Sequence, residues 1–239
     1  KKKKKKDKVR DRLQDISKKL AGNDSLSYYK EPYVDESEIW TYVTRDNPGK
    51  LERTDEDIYT FDYTLDENKV SFYKSLGSIM VSDEEPMRIF KEDKMKALAD
   101  EHAKNIDPKS EFVKVEKHED DVYMDFFYQR KNDGIYYEAN SITVTVDNEG
   151  SIYSEFYLRE SEAEINWIDE KTIKEKLNSN SEIKAIIKVI NVKNQAEYLV
   201  MTEYNKEKFI SVFDGETAKL KIYDRLDQDK YLLYYNILI

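Results

Sequence analysis

The sequence predicts an α+β fold built from repeated units, each an antiparallel β-meander with a helix packed on one face. Three observations lead to this prediction. Two long segments have apolar residues at helical spacing, most later segments alternate apolar and polar residues, and one turn pattern recurs three times. Each recurrence joins an apolar residue, an aspartate, a tight polar turn and a new alternating strand, and the three begin at Leu65, Val146 and Phe213.

Helices are predicted over 7–20, where Gly22 is a stop signal, over 92–106 and, as a shorter element, after Asp169, which can cap it. The helix over 92–106 has the clearest pattern, and it carries His102 on its apolar face. A lone helical histidine is a packing residue more often than a ligand, because metal sites need several ligands close together.

Alternation and β-branched runs predict a series of strands separated by turns. The predicted strands are 40–43, 58–63, 70–73, 122–129, 137–146, 152–158, 186–192, 197–204, 209–213, 220–223 and 231–239. Asp133–Gly134 is a hairpin-type dipeptide, Asn47–Gly49 is a turn signal, and Asn23–Pro32 is polar and rich in turn residues. In the recurring turns the aspartate side chain can accept backbone N–H groups.

Charge and aromatic content restrict the classes of function. Charged residues make up 38% of the chain and hydrophobic residues 39%, and there are 19 tyrosines, which suit sheets with one hydrated face. The net charge is −10, and because Lys1–Lys6 contribute +6 the remainder carries −16. Such a body repels a phosphate backbone, so no nucleic-acid partner is predicted. The lysine run is interpreted as a solvated, frayed end rather than as a contact with anionic lipid.

The chain contains no cysteine, which excludes disulfides, thiolate catalysis and zinc–thiolate sites. This composition is common on the outside of Gram-positive bacteria. No apolar run approaches the roughly 20 residues of a membrane span. Because the sequence begins without methionine, we expect that a signal or anchor was removed or that this is the soluble part of an anchored protein or lipoprotein.

No catalytic, metal or cofactor site is predicted. The two histidines, His102 and His118, match no spacing of metal ligands, and neither a Gly-x-Ser-x-Gly elbow nor a glycine-rich phosphate loop is present. Fifty acidic residues make adjacent carboxylates inevitable, so none of these pairs is informative. The aspartate-rich turn at Asp147 is interpreted as hydrogen-bonded rather than calcium-binding, because calcium needs six or more converging oxygens.

One set of residues is a candidate for binding a partner protein. Aromatic side chains and an arginine, the types that dominate interface anchors, cluster in the central strands. The set comprises Tyr123, Phe127, Arg130, Tyr136, Tyr137 and Glu138. In the alternative interpretation the tyrosines pack under a second helix and Arg130 pairs with a carboxylate of a turn.

Within residues 90–225 the order of motifs resembles the YcdB/YcdC repeat, a family similar to PepSY domains. The resemblance rests on Arg130, the Asp133–Ile135 turn and the run Ile142–Ile152, and a second, PepSY-type ending covers Tyr198–Lys219. In that ending Gly215 and Ala218 are exchanged relative to the family pattern. A weaker likeness is to YycH/YycI-type accessory proteins. The resemblance implies a PepSY-like fold that is extracytoplasmic and non-catalytic, and it supplies no catalytic residue.

These observations predict a basic segment and helix over 1–22, a first PepSY-like unit over 23–87, a YcdB/YcdC-like unit over 88–161 and a second PepSY-like unit over 162–239. The predicted function is an extracytoplasmic, cell-surface or membrane-anchored interaction module that is not an enzyme and regulates a protease or a membrane sensor protein, without a cofactor. Two alternatives stay open. One is a carboxylate-dependent hydrolase of a cell-wall sugar or peptide, and the other is a carrier of a small ligand.

Overall fold

The structure of the protein is a computed structural model. It describes residues 1–22, 26–29, 39–44, 58–75, 90–118, 122–158 and 164–226. The turn predicted at Asn47–Gly49 and the strand predicted over 231–239 lie outside the described residues. Within the described stretches no helix is both long enough and apolar enough to cross a membrane.

The described residues form three helices and twelve strands, and each helix is followed by four strands. The first set is α1 (Lys2–Ala21), β1 (Ser27–Tyr29), β2 (Ile39–Val43), β3 (Ile58–Thr64) and β4 (Lys69–Ser75). The second is α2 (Glu92–Ile106), β5 (Ser110–Lys117), β6 (Tyr123–Asn132), β7 (Ile135–Asp147) and β8 (Ile152–Tyr157). The third is α3 (Glu170–Glu175), β9 (Glu182–Ile190), β10 (Ala196–Tyr204), β11 (Glu207–Asp214) and β12 (Leu220–Arg225). The predicted α+β fold of repeated helix-plus-strand units is confirmed.

The chain divides into two compact units whose residues are discontinuous in sequence. The first unit comprises Lys1–Pro108, Val115–Phe127 and Ile142–Leu158, and the second comprises Lys109–Lys114, Tyr128–Ser141 and Arg159–Ile239. Strands β5, β6 and β7 therefore contribute residues to both units. The predicted units over 23–87, 88–161 and 162–239 follow the sequence repeats, which need not coincide with compact units, and their boundaries stay a prediction.

The first unit contains an antiparallel sheet in the order β1–β2–β3–β4–β8–β7 with α1 and α2 on one face. Tyr42, Phe72 and Ser154 belong to one row of directly opposed residues. The Tyr42 hydroxyl donates to the carbonyl of Lys6 in α1, whereas Phe72 and Ser154 both contact His102 in α2. Because opposed residues share a face of the sheet, both helices lie on the same face.

The alternation of apolar and polar residues in β3 and β4 gives this sheet one buried, apolar face. Phe61 and Phe72 are buried opposite each other with ring centres 5.2 Å apart, and Thr60 and Asp62 point to the other face. Each such ring removed from water contributes roughly 1.5–3 kcal/mol to folding. The hairpin predicted from this pattern is confirmed, with its turn at 65–68.

The lysine run is helical, so the predicted fraying is wrong for Lys2–Lys6, which begin α1, whereas the side chains of Lys1–Lys5 are exposed as predicted. The Lys6 Nζ donates to the Tyr28 hydroxyl at 2.7 Å and lies 4.0 Å from the centre of the same ring. It also lies 5.5 Å from the ring of Trp40. Cation–π contacts with rings of the sheet offset part of the repulsion between neighbouring lysines.

The second unit contains strands in the order β7–β9–β10–β11–β12, and its first pairing is parallel. Ile135–Tyr137 of β7 runs alongside Lys188–Ile190 of β9, whereas β9 to β12 form the predicted meander. The sequence predicted antiparallel pairs only. The difference arises because the chain between β7 and β9 passes through β8 and α3, and a connection of that length can return in the same direction.

Apolar residues cover both faces of β10, which is why its sequence is almost continuously hydrophobic. Tyr198 and Val200 pack with Ile173 of α3 on one face. Leu199 and Met201 pack with Val189 on the other. The helix predicted after Asp169 is confirmed, and the Asp169 carboxylate accepts the N–H of Lys171 as its cap.

Two strands, β1 and β5, have no counterpart among the predictions. In β5 the buried residues are Ser110 and Lys114, whereas Phe112 and Val115 are exposed. The apolar residues therefore do not mark the buried side, and hydrophobic periodicity gave no signal. The strand predicted over 186–192 also begins earlier, at Glu182, and ends at Ile190.

Two of the three aspartate turns, those at Asp147 and Asp214, form as predicted. One carboxylate oxygen of Asp147 accepts the N–H groups of Glu149 and Ser151 at 3.0 and 2.8 Å. Asp214 accepts two backbone N–H groups of its own turn, both at 2.9 Å. Those two bonds stabilise the carboxylate and lower the pKa of Asp214.

The exchange of Gly215 and Ala218 relative to the PepSY-type pattern is explained by the space and the backbone geometry of the last turn. A Cβ on Gly215 would lie 2.7 Å from the ring of Trp167 and 2.8 Å from the Cβ of Ala196. Ala218 adopts φ 59° and donates its N–H to the carbonyl of Asp214. The turn therefore has no space for a side chain at its second position, and it accepts the strain of a left-handed alanine.

His102 makes the stability of the protein depend on pH. Its ring is 5% exposed, its Nε2 lies 2.7 Å from the Ser154 Oγ, and burial lowers its pKa to about 4. The unfolded chain binds the proton near pH 6.5, so between pH 6.5 and 4 the unfolded state carries more protons. The free energy of unfolding therefore falls as the pH decreases through this window.

We predict that His102→Gln removes this contribution. Relative to the variant, the wild-type free energy of unfolding should fall by roughly 3 kcal/mol between pH 7 and pH 4. Urea denaturation at several pH values measures the difference. Parallel pH profiles for the wild type and His102→Gln would contradict the prediction.

Candidate binding groove

The six residues predicted to bind a partner are divided between the two units. Tyr123 and Phe127 belong to the first unit, and Arg130, Tyr136, Tyr137 and Glu138 belong to the second. Tyr123 is exposed and its ring stacks on His118, with centres 4.0 Å apart. The other five are half-buried, and Tyr136 packs against the core cluster around Val189. Whether these six residues meet a partner stays a prediction.

The other histidine, His118, also lies in the first unit and is hydrogen-bonded to a carboxylate. Its Nε2 lies 2.8 Å from one oxygen of Asp125, and the Thr145 hydroxyl donates to the other oxygen at 2.5 Å. Thr145 thus fixes the carboxylate, and the carboxylate orients the imidazole. Among the described residues no group of three or more histidine, aspartate or glutamate side chains is placed to hold a metal ion.

The shortness of α3 creates a groove in the second unit. Helix α3 has six residues and is about 9 Å long. Strand β10 beneath it has nine residues and is about 30 Å long. The helix therefore covers Tyr198 and Phe213 but ends before Thr202 and Phe209, which lie further along the same face.

The sequence after α3 explains why the helix ends. Residues 178–181 read Asn-Ser-Asn-Ser, and such side chains compete for backbone groups. The Asn178 side chain accepts the N–H of Asn180 at 3.0 Å, and the Asn178 carbonyl accepts the N–H of Ser181. This turn leads away from the helix and forms one wall of the groove.

The groove has a cavity volume of about 700 Å³. One wall is the end of α3 and its turn, and the base and other wall are residues of β10, β11 and β12. The described lining residues are Lys176, Leu177, Asn178, Ser181, Thr202, Tyr204, Phe209, Ser211, Phe213, Leu220 and Tyr223. Lys176 is the one charged residue among them.

Two aromatic rings form a stacked pair in this lining. Phe209 and Tyr223 have ring centres 5.7 Å apart and planes inclined by 6°. Tyr223 is 62% exposed and Tyr204 is 48% exposed. An apolar group of a ligand that enters the groove therefore covers a large aromatic area.

Two buried hydroxyls lie at the base of the groove on neighbouring strands. Thr202 is 4% exposed and Ser211 is 3% exposed. No hydrogen bond joins either hydroxyl to another described residue. Neither oxygen is among the fully buried side-chain atoms that lack a partner, so both hydroxyls face the open groove. Both groups are therefore available to a ligand.

Sequence reasoning missed every residue of this groove. A signal was present in the strands, because Thr202 interrupts the apolar run of β10 and Ser211 interrupts that of β11. Each is a polar residue at a position where the alternation of its strand predicts a core side chain. A second signal was the short apolar pattern of the helix predicted after Asp169, which has Ile173 and Leu177 alone.

No protein-family model matches the chain, and no curated protein matches it. Among solved structures, the chain is similar to the Bacillus megaterium YpeB C-terminal domain, with a TM-score of 0.44 and 10% sequence identity. The alignment covers 89% of this chain and 95% of that chain. A likeness of this degree supports no inference about what the chain binds. The specific resemblance to the YcdB/YcdC repeat stays a prediction.

We predict that Thr202→Val changes the stability of the protein little. Valine has the same shape, and the hydroxyl that it removes makes no hydrogen bond to another described residue and faces the open groove, so the free energy of unfolding should change by less than about 0.5 kcal/mol. Urea denaturation at pH 7 measures the change. In the control variant Thr145→Val the lost hydroxyl is bonded to Asp125, so stability should fall. A loss of stability in Thr202→Val as large as in the control would show that the hydroxyl has a partner in the free protein.

Proposed function

We propose that this protein is a non-enzymatic interaction module that holds a segment of a partner protein in the groove of its second unit. The observation that supports this most is the combination of exposed aromatic rings with two hydroxyls that make no hydrogen bond to another described residue. The exposed rings cost free energy in the empty protein. A ligand that covers the rings removes that cost, and its acceptors can bond the hydroxyls.

An extended peptide has the chemistry that the lining requires. Its backbone carbonyls accept hydrogen bonds from Thr202 and Ser211, and its side chains pack against the rings of Tyr204, Phe209 and Tyr223. Tyrosine is among the residue types that contribute most to protein interfaces. Recognition of an extended segment by a sheet and its side-chain pockets is a recurring mode of peptide binding.

The role and location of the module are part of the same proposal. We place the protein outside the cytoplasm, on the cell surface or anchored to the membrane, where it modulates a protease or a sensor protein. The absence of cysteine and the sequence resemblance to PepSY-like domains support this. Surface proteolysis of intact cells, followed by detection of the protein, tests the location.

Two other functions have a specific observation in their favour. The groove volume of about 700 Å³ is within the usual range for small-ligand sites, which suits a carrier. The Asp125–His118 pair, at 2.8 Å, suits a hydrolase. Strong thermal stabilisation by a metabolite supports the carrier. Turnover of a cell-wall sugar or peptide that Asp125→Asn abolishes would contradict a non-enzymatic module.

We predict that selection from a random peptide library displayed on phage, against the immobilised full chain, enriches peptides that depend on the groove. Tyr223→Ala should weaken binding of the enriched peptides by at least tenfold, because it removes one ring of the stacked pair. Fluorescence anisotropy with the synthetic peptides measures the affinities.

The matched control is Tyr73→Ala, which removes a comparably exposed tyrosine from β4 of the first unit. This variant should bind the peptides as the wild type does. Peptides that bind Tyr223→Ala and the wild type equally would contradict the proposed site.

A further inference from the structure

We propose that the groove selects a segment in which an aromatic side chain lies beside a carboxylate. This inference rests on the proposed function and specifies the chemistry of the partner. It follows from three parts of the described lining, which are the stacked rings, Lys176 and the hydroxyls of Thr202 and Ser211.

The rings select a flat, apolar group. Phe209 and Tyr223 are nearly parallel, and the outer ring, Tyr223, keeps 62% of its surface exposed. Another ring can extend this stack or pack edge-on against it, and such geometries contribute beyond the area they cover. Aliphatic groups gain from the covered area alone, so aromatic side chains bind better.

The cation selects a negative charge. Lys176 lines the groove, and no carboxylate is among the described lining residues. Nearby charges are already paired, since Lys174 bonds Glu170 at 3.1 Å and Arg225 lies 3.6 Å from Glu207. In a chain with a net charge of −10, a groove whose described lining has one lysine and no acid is distinctive. An anion gains attraction here, whereas a cation is repelled.

The hydroxyls select an acceptor of hydrogen bonds. Thr202 and Ser211 can donate to a carboxylate oxygen or to a carbonyl oxygen. They therefore favour acids and amides alike over hydrocarbons. Only the charge of Lys176 distinguishes an acid from an amide. A substitution of that residue alone therefore tests the preference for a carboxylate.

Three small probes separate these parts. N-acetyl-L-phenylalanine has the ring and the carboxylate, its amide has the ring alone, and N-acetyl-L-alanine has the carboxylate alone. Each is titrated into the full ¹⁵N-labelled chain, and dissociation constants are taken from chemical-shift changes of the groove residues. We expect the acid to bind about fivefold more tightly than the amide at low ionic strength, and N-acetyl-L-alanine to bind at least tenfold more weakly than the acid.

Lys176→Gln should bring the ratio of acid to amide affinity close to one, while the affinity for the amide stays unchanged. The control is Lys174→Gln, which removes a lysine two residues earlier that pairs with Glu170 and does not line the groove. This variant should keep the wild-type ratio.

The outcomes distinguish this inference from the proposed function. Equal affinities for acid and amide in the wild type, or a ratio that survives Lys176→Gln, overturn the inference and leave the groove as a peptide site. N-acetyl-L-alanine binding as well as N-acetyl-L-phenylalanine overturns the aromatic part. Absence of shifts at the groove with every probe overturns both proposals. So do nuclear Overhauser contacts from residues 231–239 to the Phe209 and Tyr223 rings in the free chain, because the protein would then fill its own groove.

Discussion

The constraint on which the candidate site depends is the length of one helix relative to the strands it covers. Helices α1 and α2 have 20 and 15 residues, and they share one face of the first unit's sheet. Helix α3 has six residues over strands of nine and eight. A sheet face that no helix covers must be polar, be exposed or be occupied by something else. The second unit shows the first two of these conditions together, with buried hydroxyls and exposed rings side by side.

The polar groups beneath the helices differ from those in the groove. In the first unit Ser154 bonds His102 and Tyr42 bonds Lys6, whereas the buried Ser17 hydroxyl of α1 has no partner among the described residues. In the groove Thr202 and Ser211 make no hydrogen bond to another described residue, and neither oxygen is among the fully buried atoms that lack a partner. The groove hydroxyls therefore face an open space that a ligand can reach.

Much of the fold was predictable because local chemistry determines it. The aspartate turns at Asp147 and Asp214, the hairpin at 65–68 and the cap at Asp169 each depend on neighbouring residues alone. Strand β5 was not predictable, because its buried positions hold Ser110 and Lys114 while Phe112 is exposed. The parallel pairing of β7 with β9 was also missed, since nothing in either strand specifies a partner more than 50 residues away.

The candidate site was hidden for a related reason. The six residues predicted from side-chain type include Tyr136, whose ring packs against a core cluster. Residue type reports what a side chain can do, whereas the groove depends on which side chains a helix fails to cover. The uncovered side chains depend first on where α3 ends, and the turn residues Asn178–Ser181 indicate that position in the sequence. They depend second on which strand positions lie beyond the helix end, and these are known only once the strand register is known.

The discontinuity of the two units has a consequence for how such a protein can change in evolution. The second unit draws on Lys109–Lys114 and Tyr128–Ser141, which are encoded inside the span of the first. No contiguous piece of the gene specifies the whole groove-bearing unit without also including residues of the first unit. Recombination that moved only the last third of the coding sequence would separate β9 from its parallel neighbour. The uncovered backbone N–H and C=O groups of β9 would then be a template for misassociation.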